Sequence, residues 1–256
     1  LPHDAARMVD PAALRPFAAR DLPADALAPG MQTLSADWGE GLRWAPAGWR
    51  ADAIAWRTDH WAPWGGAPSY ADLWDDSRAA AGAPRAMLLG AGLHLEHIGA
   101  LPEGALWAAH GDDAGAAEVW ATIEAWCAPR AARIRAGGGA AALADGSAAA
   151  ALIDARGAVE TAQGGVPLGF AAPAEGAVAQ MLGLARPAAA PAATLAAATE
   201  FTAFIMARDG GMADWSCAEA LMDPEALMSM PPLPPETAAH AARRKAVAAR
   251  VFGVRS

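Results

Sequence analysis

Four groupings of residues in this chain could do chemistry. His94-Leu95-Glu96-His97 places three metal-ligating side chains within four positions. On a helix His94 and His97 stand three apart and can face one way, while Glu96 points elsewhere. Zinc-binding helices need a different spacing and a third ligand, so exposed polar residues are the favoured reading. Gly90-Ala91-Gly92 starts as a dinucleotide loop would, but the third glycine would fall where Leu95 stands. Gly137-Gly138-Gly139 lacks the Lys-Ser/Thr of a phosphate loop, and no Gly-x-Ser-x-Gly elbow occurs. Cys127 and Cys217 lie far apart in no metal-like spacing and read as free buried thiols. Tyr70 is the only tyrosine, which excludes a ferric site built on a tyrosine pair. The expectation is a protein that is not an enzyme and carries no cofactor and no metal.

Composition narrows the partners. The chain has 256 residues, 54% of them hydrophobic, and a formal net charge of −9. An acidic balance argues against nucleic acid and anionic membrane, both of which need a basic patch. Eleven tryptophans are many for this length. Trp38, Trp44, Trp49, Trp56, Trp61, Trp64 and Trp74 gather in the first third and read mainly as an aromatic core, with Trp61 and Trp64 on a turn-rich loop as candidates for exposure.

The elements that must position these residues alternate between strand and helix, which argues an α/β class. A short helix capped by Asp4 is expected within 4–15, ending before Pro11. A Pro/Gly connection follows over 21–41, then a strand over 52–57 and a turn-rich loop over 60–69. Ser69 suits the N-cap of a helix from Tyr70 to Trp74. The apolar run Arg85–Leu89 ending at Gly90 predicts a buried strand, with a helix over 91–98 behind it. Apolar spacing predicts a helix over 113–127, and one more over 195–206. Between them come strands at 131–135, 149–153, 166–172 and 177–185, and helices at 140–144 and 155–163. A helix over 210–222 and a basic helix over 236–251 close the chain.

One stretch carries more than class. Pro46 and Trp49 lead into the 52–57 strand, and a loop later Ser69-Tyr70-Ala71-Asp72-Leu73-Trp74 opens a helix. Pro167 through Gly176, with Pro173, Glu175 and Gly176, forms a second pattern, and Phe204-Ile205-Met206 a third. Together these resemble the spermidine/putrescine-type solute-binding proteins of ABC transporters. The resemblance implies a two-lobe type II periplasmic-binding-protein fold with crossovers near 44–49 and 172–178. Lobe 1 would be residues 1–45 plus 179–256, and lobe 2 residues 48–173. Against the family the opening βαβ stretch is missing, so an incomplete first lobe with an exposed edge near 1–45 is expected.

The same resemblance implies a function and a site. The chain would capture a small solute between its lobes in the periplasm, after loss of a secretory segment, and present it as a monomer to an ABC permease. The implied ligand-binding residues are Trp49, Arg50, His94, Asp154 and Gln180. Trp49 could stack on an alkyl chain or hold a cation. The family's carboxylate positions fall on Ala91, His94 and Leu182, and its tryptophans on Asp154 and Gln180. Polyamines need several carboxylate partners, so a zwitterion, a small acid or a sugar-like solute fits better. Asp154 also reads as a plain N-cap. The alternatives are a shortened paralogue that binds nothing, and, less favoured, an α/β enzyme.

Overall fold

The structure, a computed structural model, describes residues 10–22, 43–60, 67–75, 80–111, 113–207 and 237–253. The first residues of the expected opening helix, most of the 21–41 connection, the 210–222 helix, Trp38, Trp61, Trp64 and Cys217 lie outside the described residues, as do the side chains of Trp49 and Gln180. Most of the expected incomplete edge near 1–45 lies outside them as well.

The chain divides into two compact units, with boundaries between Arg50 and Ala51 and between Val178 and Ala179. In the first unit a 3-10 turn at Pro11–Ala13 leads to a two-residue strand, β1 (Leu14–Arg15). A second 3-10 turn covers Ala19–Asp21. Strand β2 (Trp44–Arg57) begins in this unit and continues into the second.

In the second unit β2 is joined by helix α1 (Tyr70–Asp75), strand β3 (Ala80–Gly82) and helix α2 (Pro84–His97). Helices α3 (Ala105–Gly111) and α4 (Asp113–Cys127) follow, then a 3-10 segment at Ala128–Arg133 and strand β4 (Ile134–Ala136). Helix α5 (Gly139–Ala144), strand β5 (Ala150–Asp154), helix α6 (Ala155–Gln163) and strand β6 (Leu168–Ala171) complete the run. Here β3 lies parallel between β4 and β5, and β2 is antiparallel to both β5 and β6. Strand β7 (Val178–Pro187) returns to the first unit, where it pairs antiparallel with β1, and helix α7 (Ala192–Ala207) follows.

Two expectations need correction. Arg85–Leu89 is not a strand: it belongs to the single helix α2, which buries eight residues. Pro84 at its first turn has no N–H to waste and a φ preset for helix. A helix packed on nearly every side reads as an unbroken apolar run, so periodicity cannot separate it from a buried strand. The strand in this region is Ala80–Gly82, whose alanines and glycine give no β signal. The second correction concerns the end of the chain. Helix α8 (Ala238–Phe252), assigned above to lobe 1, packs on α2 and α4 in the second unit. There Trp120 Nε1 donates to His240 Nε2 at 2.9 Å, and both residues are buried. Arg250 adds an outer clamp, Nε to Glu124 Oε1 at 2.5 Å and Nη2 to Oε2 at 2.6 Å.

The core is aromatic where the strands leave room. Trp44 and Trp74 are fully buried and Trp120 is nearly so. Tyr70 lies so close over Gly90 that a Cβ there would stand 2.4 Å from its ring. Gly90→Ala is therefore expected to overpack α1 against α2 and lower stability by about 1–3 kcal/mol. Gly115, exposed on α4 with nothing within 4 Å of its would-be Cβ, should gain about 0.4–1 kcal/mol as alanine. Urea unfolding midpoints of the two variants check the contrast, and equal shifts would contradict this packing.

Candidate functional site

Residues flanking the 50/51 boundary present polar side chains from one face of β2. Alternate strand residues share a face, and the burial alternates accordingly: Ala51 and Ala53 are buried, Arg50 and Asp52 half-buried. Asp52 pairs in register with Asp154, the last residue of β5. Sequence reading overlooked Asp52 because nothing in its neighbourhood marks it; only the strand register brings it opposite Asp154. Asp154 is also the N-cap of α6, accepting from the Gly157 N–H at 2.7 Å. The capping reading of Asp154 thus describes its structural role, and strand register sets Asp52 opposite it.

A second polar centre lies inside the second unit. The Glu175 side chain is 1% exposed and accepts three kinds of donor. Ser69 Oγ donates to its Oε1, the Tyr70 N–H reaches both oxygens at 3.2 Å, and His94 Nδ1 meets Oε1 at 2.8 Å. An ionised carboxylate only accepts, so His94 carries its proton on Nδ1. Ser69 in turn caps α1, accepting from the Ala71 N–H at 3.1 Å, while Asp72 Oδ2 takes the Ser69 N–H at 2.7 Å. That is a reciprocal capping box. It was visible as Ser-x-x-Asp, and Glu175 as Pro-x-Glu-Gly, but sequence alone does not join positions more than a hundred residues apart.

The electrostatics follow from the bonds. Burial alone would raise the Glu175 pKa; the bonds from His94, Ser69 and the backbone outweigh it and hold it below the ordinary value. Tyr70, fully buried with Asp52 and Glu175 nearby, has its pKa pushed well up and stays a neutral phenol.

The His94-Glu96-His97 trio does not converge. His94 turns to Glu175, with its ring 5.3 Å from that of Trp126. Glu96 accepts from the Gly104 and Leu106 N–H groups at 3.1 and 2.6 Å, capping α3. His97 is exposed. Exposure was the expectation for all three, and only His97 meets it. No group of three metal-ligating side chains occurs among the described residues. Ala91 is fully buried inside α2 rather than standing at a strand end, so the correspondence that set it and His94 at family carboxylate positions loses its structural footing. Cys127 is a free, buried thiol whose pKa burial pushes up.

A folded pKa below the unfolded one gives stability that is present above about pH 4.3 and lost as pH falls through the folded value. Glu175→Gln should therefore cost about 1.5–3 kcal/mol at neutral pH. The gap to wild type should narrow as pH falls from about 5 toward 3. Urea unfolding across that range reads it, and a gap constant with pH would contradict the assignment.

No family model matches the sequence, and no curated protein matches it. Solved structures do. The spermidine/putrescine ABC transporter substrate-binding protein PotD of Streptococcus pneumoniae aligns over 94% of this chain and 78% of its own, with TM-score 0.67 and 13% identity. MotA of A. tumefaciens, in complex with glucopine, aligns over 98% and 82%, with TM-score 0.64 and 13% identity. The maltodextrin-binding protein MalE1 of L. casei aligns over 99% and 77%, with TM-score 0.64 and 16% identity. The chain has the α/β fold of the type II periplasmic binding proteins.

Proposed function

We propose that this protein is the solute-binding component of an ABC importer. It acts outside the inner membrane as a monomer, captures a small polar solute by closing its two units on it, and delivers it to a permease. The observation that carries the reading is the fold likeness over nearly the whole chain to proteins whose stated ligands range from polyamine to opine to maltodextrin. Hinge closure needs no bond-making chemistry, only a ligand that binds the closed form better than the open one.

Among solutes, a small zwitterion suits the described residues best. Arg50 offers a cation, and Asp52 and Asp154 offer paired carboxylates on the neighbouring strand positions. Trp49 and Gln180 stand beside the 50/51 and 178/179 boundaries in sequence and complete the proposed set. His94 is left out of it, since Glu175 engages its ring. A polyamine would have to share two carboxylates, one of them already capping α6, among several positive charges.

Thermal unfolding followed by tryptophan fluorescence tests this with amino acids, opines, organic acids, sugars and spermidine. A zwitterion at a hundred times its dissociation constant should add about 2.7 kcal/mol, and Asp52→Asn should remove most of that gain. A response to spermidine alone would overturn the zwitterion assignment. Silence toward every class would favour the non-binding paralogue.

A further inference from the structure

The first unit holds a cavity of its own. It has a volume of about 600 Å³ and lies among β1, β7, the 19–21 turn and α7. Arg186 lines it, seven residues beyond Ala179 along β7, or about 24 Å at strand rise. It is thus well removed along the chain from the residues of the proposed solute site.

Arg186 is 9% exposed and has an incomplete set of partners. Its Nη1 donates to Thr199 Oγ1 at 2.5 Å, its Nη2 donates to the Pro16 carbonyl, and its guanidinium lies 4.2 Å over the Phe17 ring. The buried Nε has no hydrogen-bond partner. No carboxylate among the described residues comes within ion-pair distance of it. A buried charge is expected to be paired. Arg186 faces instead a second cation: Arg15 is its register partner across the β1–β7 ladder, and like charges directly opposite on antiparallel strands destabilise. Burial, and after it Arg15, pull the Arg186 pKa down, against Asp21. Asp21 is 42% exposed at its side chain and turned to Arg20 at 3.6 Å, and Glu200 is exposed on α7. Thus the buried member of the lining charges is positive and the negative ones lie outward. Apart from Thr199, the remaining wall is apolar, from Ala192, Leu195, Ala196 and Ala203.

We propose that this cavity is a binding site for a small organic carboxylate, whose oxygens sit between Arg186 and Arg15 and whose apolar body lies along α7. The carboxylate supplies the missing counter-charge to the buried guanidinium, relieves the cross-strand repulsion, and offers an acceptor for Arg15. The inference stands whether or not the two units close on a solute.

The test is isothermal titration of the full chain with sodium hexanoate, acetate and hexylammonium chloride at constant ionic strength. Hexanoate should bind saturably, acetate more weakly, and hexylammonium not at all. Arg186→Met removes the Pro16 and Thr199 bonds and can fail to fold, so the deciding variant is Arg15→Gln, at an exposed position. It should fold, with an unliganded melting temperature equal to or above wild type, and bind hexanoate at least tenfold more weakly. Absence of saturable hexanoate binding, hexylammonium binding as well as hexanoate, or unchanged affinity in Arg15→Gln would each overturn the proposal.

Discussion

A buried carboxylate is the constraint on which the second unit depends. Glu175 could not remain ionised in a dry interior without donors, and the fold supplies them from two helices: the N-terminus of α1 through Ser69 and Tyr70, and the last turn of α2 through His94. Because each donor is fixed by its helix, the carboxylate in turn fixes those helices to the connection between β6 and β7. The Ala174 N–H bonding the Pro68 carbonyl at 2.8 Å holds the same two stretches together by backbone. The connection then turns at Gly176, whose φ of +92° suits glycine, and β7 begins two residues later, next to the 178/179 boundary. Removing one member of such an arrangement exposes the desolvation cost of all the others.

Each unit also solves a packing problem in the same way. Trp56 lies over Gly169 on β6, its register partner, and Trp44 lies over Gly183 on β7. In both places a Cβ would come within about 2.3 Å of the indole. A glycine leaves a strand without a side chain to pack, and a cross-strand aromatic covers that gap. One buried charge in each unit shows a contrast. Glu175 is anionic and satisfied; Arg186 is cationic, with one buried nitrogen lacking a partner. That asymmetry is what separates the structural pin at Glu175 from the site proposed at Arg186.

Much of this architecture was legible because local chemistry and periodicity agree. Ser69 caps α1, the apolar stripe of 113–127 forms α4, and the strand at 149–153 and the helix at 155–163 stand within a residue of their expected places. The type II fold was read from short motifs at the ends of elements, where Pro, Gly and capping residues constrain the backbone most. What was lost has one physical source: side chains that act through distant partners leave no local trace. The Arg85–Leu89 run reads as a strand because burial on nearly all sides erases helical periodicity. Placing α8 needed His240 to be known as the partner of Trp120, 120 residues earlier. Asp52 and Arg186 gained meaning only from strand register, which set one opposite Asp154 and the other opposite Arg15.

The most direct measurement of the central constraint is a carbon-13 NMR titration of the Glu175 side-chain carboxyl in the folded protein. If the donors from Ser69, Tyr70 and His94 hold the ionised form, its midpoint falls below the ordinary glutamate value of about 4.3. A midpoint above that value would mean that burial prevails over the bonds, and that α1, α2 and the β6–β7 connection are not tied together by a buried anion.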